Sequence, residues 1–210
     1  MVLKLTANRV LWLKGAIHTL NLGFVAYFLA LTFGGGFGID PWQQMSHFTG
    51  TAGLNLLIIT LLVSPVAKAM KAGGLIRLRR MLGLYCFFWA TLHIAIFFWL
   101  NLGWDVSLIS SEIVSRPYLV VGFTAYLLLF LLAVTSFKRL QVAMKQRWQT
   151  LHNFVYLIAL LVPWHYLWSV KSNPLVPYLY LAFALFLLYL RRDKFSKVLS
   201  IRKINTHKTY

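Results

Sequence analysis

Acidic residues are nearly absent from this sequence: 4 Asp and Glu stand against 21 Lys and Arg. None of the four falls inside a long apolar run. That scarcity excludes a carboxylate pair for hydrolysis, and no Ser-His-Asp set is present in the apolar runs either. It also argues against a proton-coupled transporter, which usually needs a membrane-buried Asp or Glu. Cysteine is as scarce. The lone Cys86 rules out an intramolecular disulfide and any Cys-only metal or redox pair. No glycine-rich dinucleotide turn, soluble nucleotide domain, internal repeat or low-complexity tract is visible. The basic N-terminus leads into a long apolar run without a small-residue cleavage site, so it reads as a first spanning helix rather than a cleaved signal.

Charge of either sign makes up 12% of the 210 residues, and 60% are hydrophobic. A soluble domain carries about 25% charged residues. The chain therefore reads as an integral membrane protein. A bilayer-crossing helix needs about 20 apolar residues. Six runs qualify: about 10–31, 47–67, 81–100, 117–137, 150–169 and 174–190. The expected architecture is all-α, a single polytopic domain over 1–210 built as a bundle of six transmembrane helices. Gly34-Gly35-Gly36 through Asp40-Pro41 forms the first loop. Ser115-Arg116-Pro117 offers an N-cap and a first-turn proline for the fourth span. Asn173-Pro174 separates the fifth from the sixth.

The basic residues set the orientation. Lys4, Arg9 and Lys14 precede or open the first span. Lys68, Lys71, Arg77, Arg79 and Arg80 follow the second, and Lys138, Arg139, Lys145 and Arg147 follow the fourth. Arg191, Arg192, Lys194, Lys197, Arg202, Lys203 and Lys208 fill the tail. Only Arg116 and Lys171 lie on the other side, with Asp40, Asp105 and Glu112. The positive-inside rule then predicts cytoplasmic termini. The excess of +17 is explained by topology and lipid headgroups, and nucleic acid needs no further hypothesis.

Two histidines match in depth. At 1.5 Å per residue, His93 lies roughly 18 Å along the third span and His165 roughly 22 Å along the fifth. Both spans start from the cytoplasmic side. Two imidazoles from different helices at one level can ligate one haem iron from both faces. Phe87, Phe88, Trp89, Phe97, Phe98, Trp164 and Trp168 supply large apolar surfaces nearby, although Trp164 and Trp168 also suit an interfacial belt. For His18 and His47 the favoured reading is a hydrogen bond across helices. His152 sits at the cytoplasmic mouth, and its depth-mate on the third span is Arg80. That arginine does not ligate iron. It is a partner for a haem propionate or flavin phosphate, or a topological anchor. His152 and His165 point about 140° apart on a straight helix. Either Pro163 kinks the helix and re-aims its outer end, or the two serve separate sites.

These residues, in their order, resemble the MsrQ (YedZ) family, haem-binding membrane subunits of the ferric-reductase-like transmembrane group. The matching pieces run from Asp40-Pro41 and His47-Phe48-Thr49-Gly50 through Ile76-Arg77, Arg79-Arg80-Met81-Leu82-Gly83-Leu84 and Trp89-Ala90-Thr91-Leu92-His93. They continue with Arg116-Pro117-Tyr118-Leu119, Thr135-Ser136, Arg147-Trp148, Leu151-His152-Asn153, Tyr156-Leu157 and His165-Tyr166-Leu167-Trp168. Lys145 departs from the pattern, which has a glycine there. The resemblance implies haem b held at His93 and His165 between helices three and five. His152 is implicated in a haem site, and Arg80 joins the candidate cofactor contacts. It also implies FMN, electrons from the quinone pool, and a bacterial inner-membrane location. The implied partner is a periplasmic molybdenum-containing methionine-sulfoxide reductase, which carries out the sulfoxide chemistry in a heterodimer. The alternative is a stand-alone transmembrane ferric or quinone reductase.

Overall fold

A computed structural model describes residues 6–170 and 174–192, apart from the side chain of Asn101. Lys4, Lys171, Asn173 and the tail residues Lys194, Lys197, Arg202, Lys203 and Lys208 lie outside the described residues. Within them the chain is helical throughout. The elements are α1 (Ala7–Phe33), α2 (Pro41–Ala69), a tight 3-10 segment (Gly73–Leu78), α3 (Arg79–Ile96), α4 (Val106–Ser115) and α5 (Pro117–Val134). Then come α6 (Lys138–Met144), α7 (Gln146–His152), α8 (Val155–Ser169) and α9 (Leu175–Tyr189).

Four segments are long and apolar enough to cross a membrane: Ala7–Phe33, Pro41–Ala69, Gly73–Leu100 and Pro117–Val134. This makes the chain a multi-pass membrane protein. The fifth and sixth expected spans correspond to α8 and α9, which have only 15 residues each. The expected fifth span is also interrupted. Asn153 and Phe154 form a turn between α7 and α8, with Phe154 N–H bonded to the Leu151 carbonyl only three residues back. By contrast, α8 continues through Pro163. The regular helical hydrogen bonding is thus interrupted at Asn153-Phe154, whereas Pro163 lies inside α8.

Local chemistry accounts for the helix ends. Asp40 caps α2, its Oδ1 accepting from Gln43 N–H at 3.2 Å, with Pro41 in the first turn. Asp105 caps α4, accepting from Ser107 and Leu108 N–H at 2.8 and 3.1 Å. Pro117 opens α5 as expected, but Arg116 rather than Ser115 is the cap residue. The Ser115 hydroxyl instead donates back to the Glu112 carbonyl and closes α4.

Lipid gives helices no hydrophobic reason to associate, so close packing must hold the bundle together. Gly53 on α2 lets that helix approach α3: a Cβ there would lie 3.5 Å from Ala90 N and 3.6 Å from Cys86 O. Leu57, Cys86, Leu129, Leu132 and Ile158 form a core joining α2, α3, α5 and α8. A second cluster, Leu54, Ile58, Leu61, Ala159, Ala184 and Leu187, packs α9 onto α2 and α8. The third, around Phe28, Phe37, Met45, Ala52, Trp89 and Ile96, seats α1. The connectivity places the described basic residues other than Arg116 toward one end of the bundle. Asp40, Asp105, Glu112 and Arg116 mark the opposite end.

Candidate functional site

A cavity of about 960 Å³ opens between α2, α3, α5 and α8 toward the acidic end. His93 and His165 project into it from α3 and α8. Their ring centroids are 6.3 Å apart and their planes lie at 81°. The depth match read from sequence thus corresponds to two imidazoles facing each other across a cavity.

Each ring is held by the same device. His93 Nδ1 donates to the Ser46 carbonyl at 2.9 Å, with the Ser46 hydroxyl at 3.3 Å. His165 Nδ1 donates to the Tyr118 carbonyl at 2.7 Å. One turn past each carbonyl is a glycine against which the ring lies. A Cβ on Gly50 would be 3.1 Å from His93 Nδ1. A Cβ on Gly122 would be 2.7 Å from both Nδ1 and Cε1 of His165. Each carbonyl precedes its histidine by 47 positions. The two sets are separated by a constant 72 positions (46 and 118, 50 and 122, 93 and 165). The helix pairs α2–α3 and α5–α8 therefore repeat this three-part arrangement of carbonyl, glycine and histidine. No repeat is visible in the sequence because only the carbonyl position, the glycine and the histidine are constrained, and a carbonyl belongs to any residue type. The paired glycines were the signal available; sequence reasoning missed them along with Ser46 and Tyr118.

With both Nδ1 atoms committed as donors, each Nε2 keeps its lone pair for a ligand. Metal–imidazole bonds of about 2.0 Å, plus about 1 Å from nitrogen to ring centre, place two rings about 6 Å apart around one shared ion. The observed spacing fits that arrangement. Among the described residues no group of three or more His, Cys, Asp or Glu converges on a metal position. Two facing imidazoles suit a metal that brings its own equatorial ligands, as in a haem.

The aromatic surroundings differ from expectation. Phe97 and Phe98 line the cavity, in the widened last turn of α3. Trp89 instead points away into the α1 packing, fully buried, with its Nε1 3.4 Å from Asn21 Oδ1. Phe87 stacks on Tyr126 at 5.8 Å, and it is Tyr126 that reaches the cavity. Phe88, Trp164 and Trp168 are exposed on outer faces. The reason is rotational: residues adjacent along a helix differ by about 100° in direction, so nearness in sequence does not make a shared wall.

The other candidates sit elsewhere. His152 is absent from the cavity lining. Its ring stacks on Trp148 at 4.0 Å, and its Nε2 lies 3.1 Å from Thr135 Oγ1. Trp148 Nε1 in turn donates to the Thr135 carbonyl. The depth-mate expected for His152, Arg80, is turned outward and exposed. Its half-buried neighbour Arg79 is the arginine within electrostatic reach of His152. His18 does bond across helices, its Nδ1 2.5 Å from Tyr85 Oη. His47 meets α8 through a ring contact with Tyr166 at 6.1 Å and lines the cavity mouth. Arg116 also stands at that mouth, its Nε 2.7 Å from Glu112. The Tyr118 hydroxyl and that carboxylate raise its pKa above the usual arginine value.

Residues 49–163 match the family described as ferric reductase like transmembrane component. The chain is also similar to curated proteins named protein-methionine-sulfoxide reductase heme-binding subunit MsrQ. The one from Cronobacter sakazakii is 47% identical over 193 residues, covering 91% of this chain and 96% of that protein. Its counterpart from Salmonella arizonae is 45% identical over 194 residues, covering 92% and 98%. No solved structure matches the chain.

Proposed function

The chain belongs to the MsrQ family of ferric-reductase-like membrane subunits, and on that footing we propose that it is a haem-binding electron-transfer subunit of a protein-methionine-sulfoxide reductase system. The observation that carries this reading is the facing pair His93 and His165, both held by backbone carbonyls through Nδ1 and both free at Nε2. His93 and His165 would hold the haem through their imidazoles. A haem b bound there supplies a one-electron couple.

The chain's own residues set the conditions for that couple. The Ser46 and Tyr118 carbonyls fix the tautomer and orientation of each imidazole and raise its basicity as a ligand. Leu54, Leu57 and Ala90 keep the inner part of the cavity apolar, so a charge change on the bound group is felt in a low dielectric. His152 lies outside this pair, and we assign it to the basic end with Arg79 rather than to the same iron.

The finer reading is that electrons enter from quinol in the bacterial inner membrane and leave at the acidic end. The acceptor there is a periplasmic molybdenum-containing reductase that repairs oxidised methionine in proteins. The lysine and arginine asymmetry supports cytoplasmic termini. FMN rests on the family resemblance alone.

A reduced-minus-oxidised spectrum of haem-replete protein tests the core of this proposal. We expect b-type bands and one haem per chain, lost in both His93→Ala and His165→Ala. Absence of those bands from the wild type overturns it. Addition of a soluble quinol should then reduce the haem, and failure of a correctly loaded protein to respond removes the quinol step.

A further inference from the structure

Buried side-chain donors and acceptors nearly always find partners in folded proteins. Among the described residues, those without a hydrogen-bond partner are Arg79 Nε, Ser136 Oγ, and Nε and Nη1 of Arg191. Arg79 opens α3, Ser136 follows α5 and Arg191 follows α9. All three lie at the basic end of the bundle, far from His93 and His165.

Arg191 is only 6% exposed. Its Nη2 donates to the Leu61 carbonyl inside α2. That carbonyl is available because Pro65, four residues on, has no N–H to offer it. The guanidinium carbon stands 5.6 Å from the centre of the Tyr156 ring. Arg79 is within electrostatic reach of Arg191 and Tyr156, and His152 is within reach of Arg79. Ser136 adjoins Thr135, whose hydroxyl meets His152. One carbonyl inside α2 thus uses one of Arg191's nitrogens, and its Nε and Nη1 have no assigned task.

Holding a buried and a half-buried guanidinium near each other is costly without an anion between them. The chain is poor in candidates. Asp40, Asp105 and Glu112 are at the opposite end, and Asp193 lies outside the described residues.

We propose that Arg79 and Arg191 form an oxyanion site that takes a phosphate group at the basic end of the bundle. A phosphate monoester carries about −1.5 to −2 charges, which matches two guanidiniums; a phosphodiester headgroup carries a single charge but still offers two unesterified oxygens, one to each arginine. The planar arginine forks bind such oxygens in pairs. The phosphate arrives either on a phospholipid headgroup or on a water-soluble monoester such as a flavin mononucleotide. The site is independent of the haem reading and stands or falls by its own test.

Two measurements on the full chain in non-ionic detergent distinguish the sources. Native mass spectrometry reports retained phosphatidylglycerol, and fluorescence titration compares FMN with riboflavin, which lacks the phosphate. Wild type should retain the lipid or bind FMN at least tenfold more tightly than riboflavin. Whichever occurs should weaken at least tenfold in Arg79→Gln and in Arg191→Gln. Arg191→Gln also strips the Leu61 carbonyl of its donor and is checked for folding by gel filtration. Arg79→Gln makes no such contact and carries the test alone if the first variant misfolds. The proposal is overturned if wild type holds no phospholipid and does not distinguish FMN from riboflavin, or if Arg79→Gln binds as wild type does. Binding that appears only in Asp193→Asn also overturns it, because the chain's own carboxylate would then fill the site.

Discussion

Replacing Gly122 by alanine tests how tightly the fold specifies the position of His165. The added Cβ would meet Cε1 and Nδ1 of that ring at 2.7 Å and Cγ at 3.1 Å. Ordinary contact begins near 3.4 Å, so the ring must retreat by about 0.7 Å, or α5 must move away from α8. An imidazole ligand tolerates about 0.2 Å in its bond to a metal. The ring is also tethered at 2.7 Å to the Tyr118 carbonyl, one turn before the glycine, so retreat strains that bond as well. The expected result is loss of six-coordinate low-spin haem, read as a high-spin optical and EPR signature or as lower haem content. The overpacking itself should cost about 1–3 kcal/mol. Gly50→Ala meets His93 at 3.1 Å and needs only a few tenths of an ångström, so its effect should be smaller. Gly83, where a Cβ meets nothing within 4 Å, is the control, and Gly83→Ala should leave the spectrum unchanged. A wild-type low-spin spectrum in Gly122→Ala would refute the reasoning about the glycine. If His165→Ala still loses haem in that case, the ligand assignment survives and only the positioning argument fails.

Other substitutions probe separate parts of the structure. Lys145 is held at φ 48°, ψ −123°, a conformation suited to glycine. Lys145→Gly should therefore stabilise the chain by about 1 kcal/mol in thermal unfolding, and a lower melting temperature would contradict this. His18→Ala removes the bond to Tyr85 without touching the cavity, so haem absorption should be unchanged; loss of haem would reassign His18. Thr135→Val deprives His152 of its Oγ1 partner, and nitrogen chemical shifts of His152 should move while those of His93 stay fixed. A coincident shift of both would show that the two sites are coupled.

The features legible in the sequence depend on rise along a helix and on composition. Apolar length gave the long spans, Asp40-Pro41 gave a helix start, and 1.5 Å per residue brought His93 level with His165. Features that depend on rotation were not legible. Moving one residue along α3 turns the side chain by about 100°, which separates the inward Arg79 from the exposed Arg80. The same uncertainty put Trp89 at the cavity, whereas it packs against α1. The break at Asn153-Phe154 was hidden for a different reason. Apolar composition continues across it, and the only conspicuous breaker nearby, Pro163, lies inside a helix that continues through it. Helix α4 was absent from the reading because Val106–Ser115 is too short to register as a span.

The repeat also explains why one helix region carries two histidines with unequal partners. The offset that carries His93 onto His165 carries Arg80 onto His152 (80 and 152). At the acidic-end level both repeats supply a histidine, each with a carbonyl and a glycine, and the pair closes across a cavity. At the basic level one repeat supplies a histidine and the other an arginine, which cannot serve as a ligand. No second facing pair can form from those positions, and the structure uses neither in that way. Arg80 turns outward, His152 packs on Trp148, and Arg79 enters beside it. Broken symmetry at this level leaves a cationic, partly unsatisfied polar cluster in place of a second ligand pair. The two ends of the bundle therefore favour different chemistry: a metal brought by a planar apolar group at one, and an anion at the other.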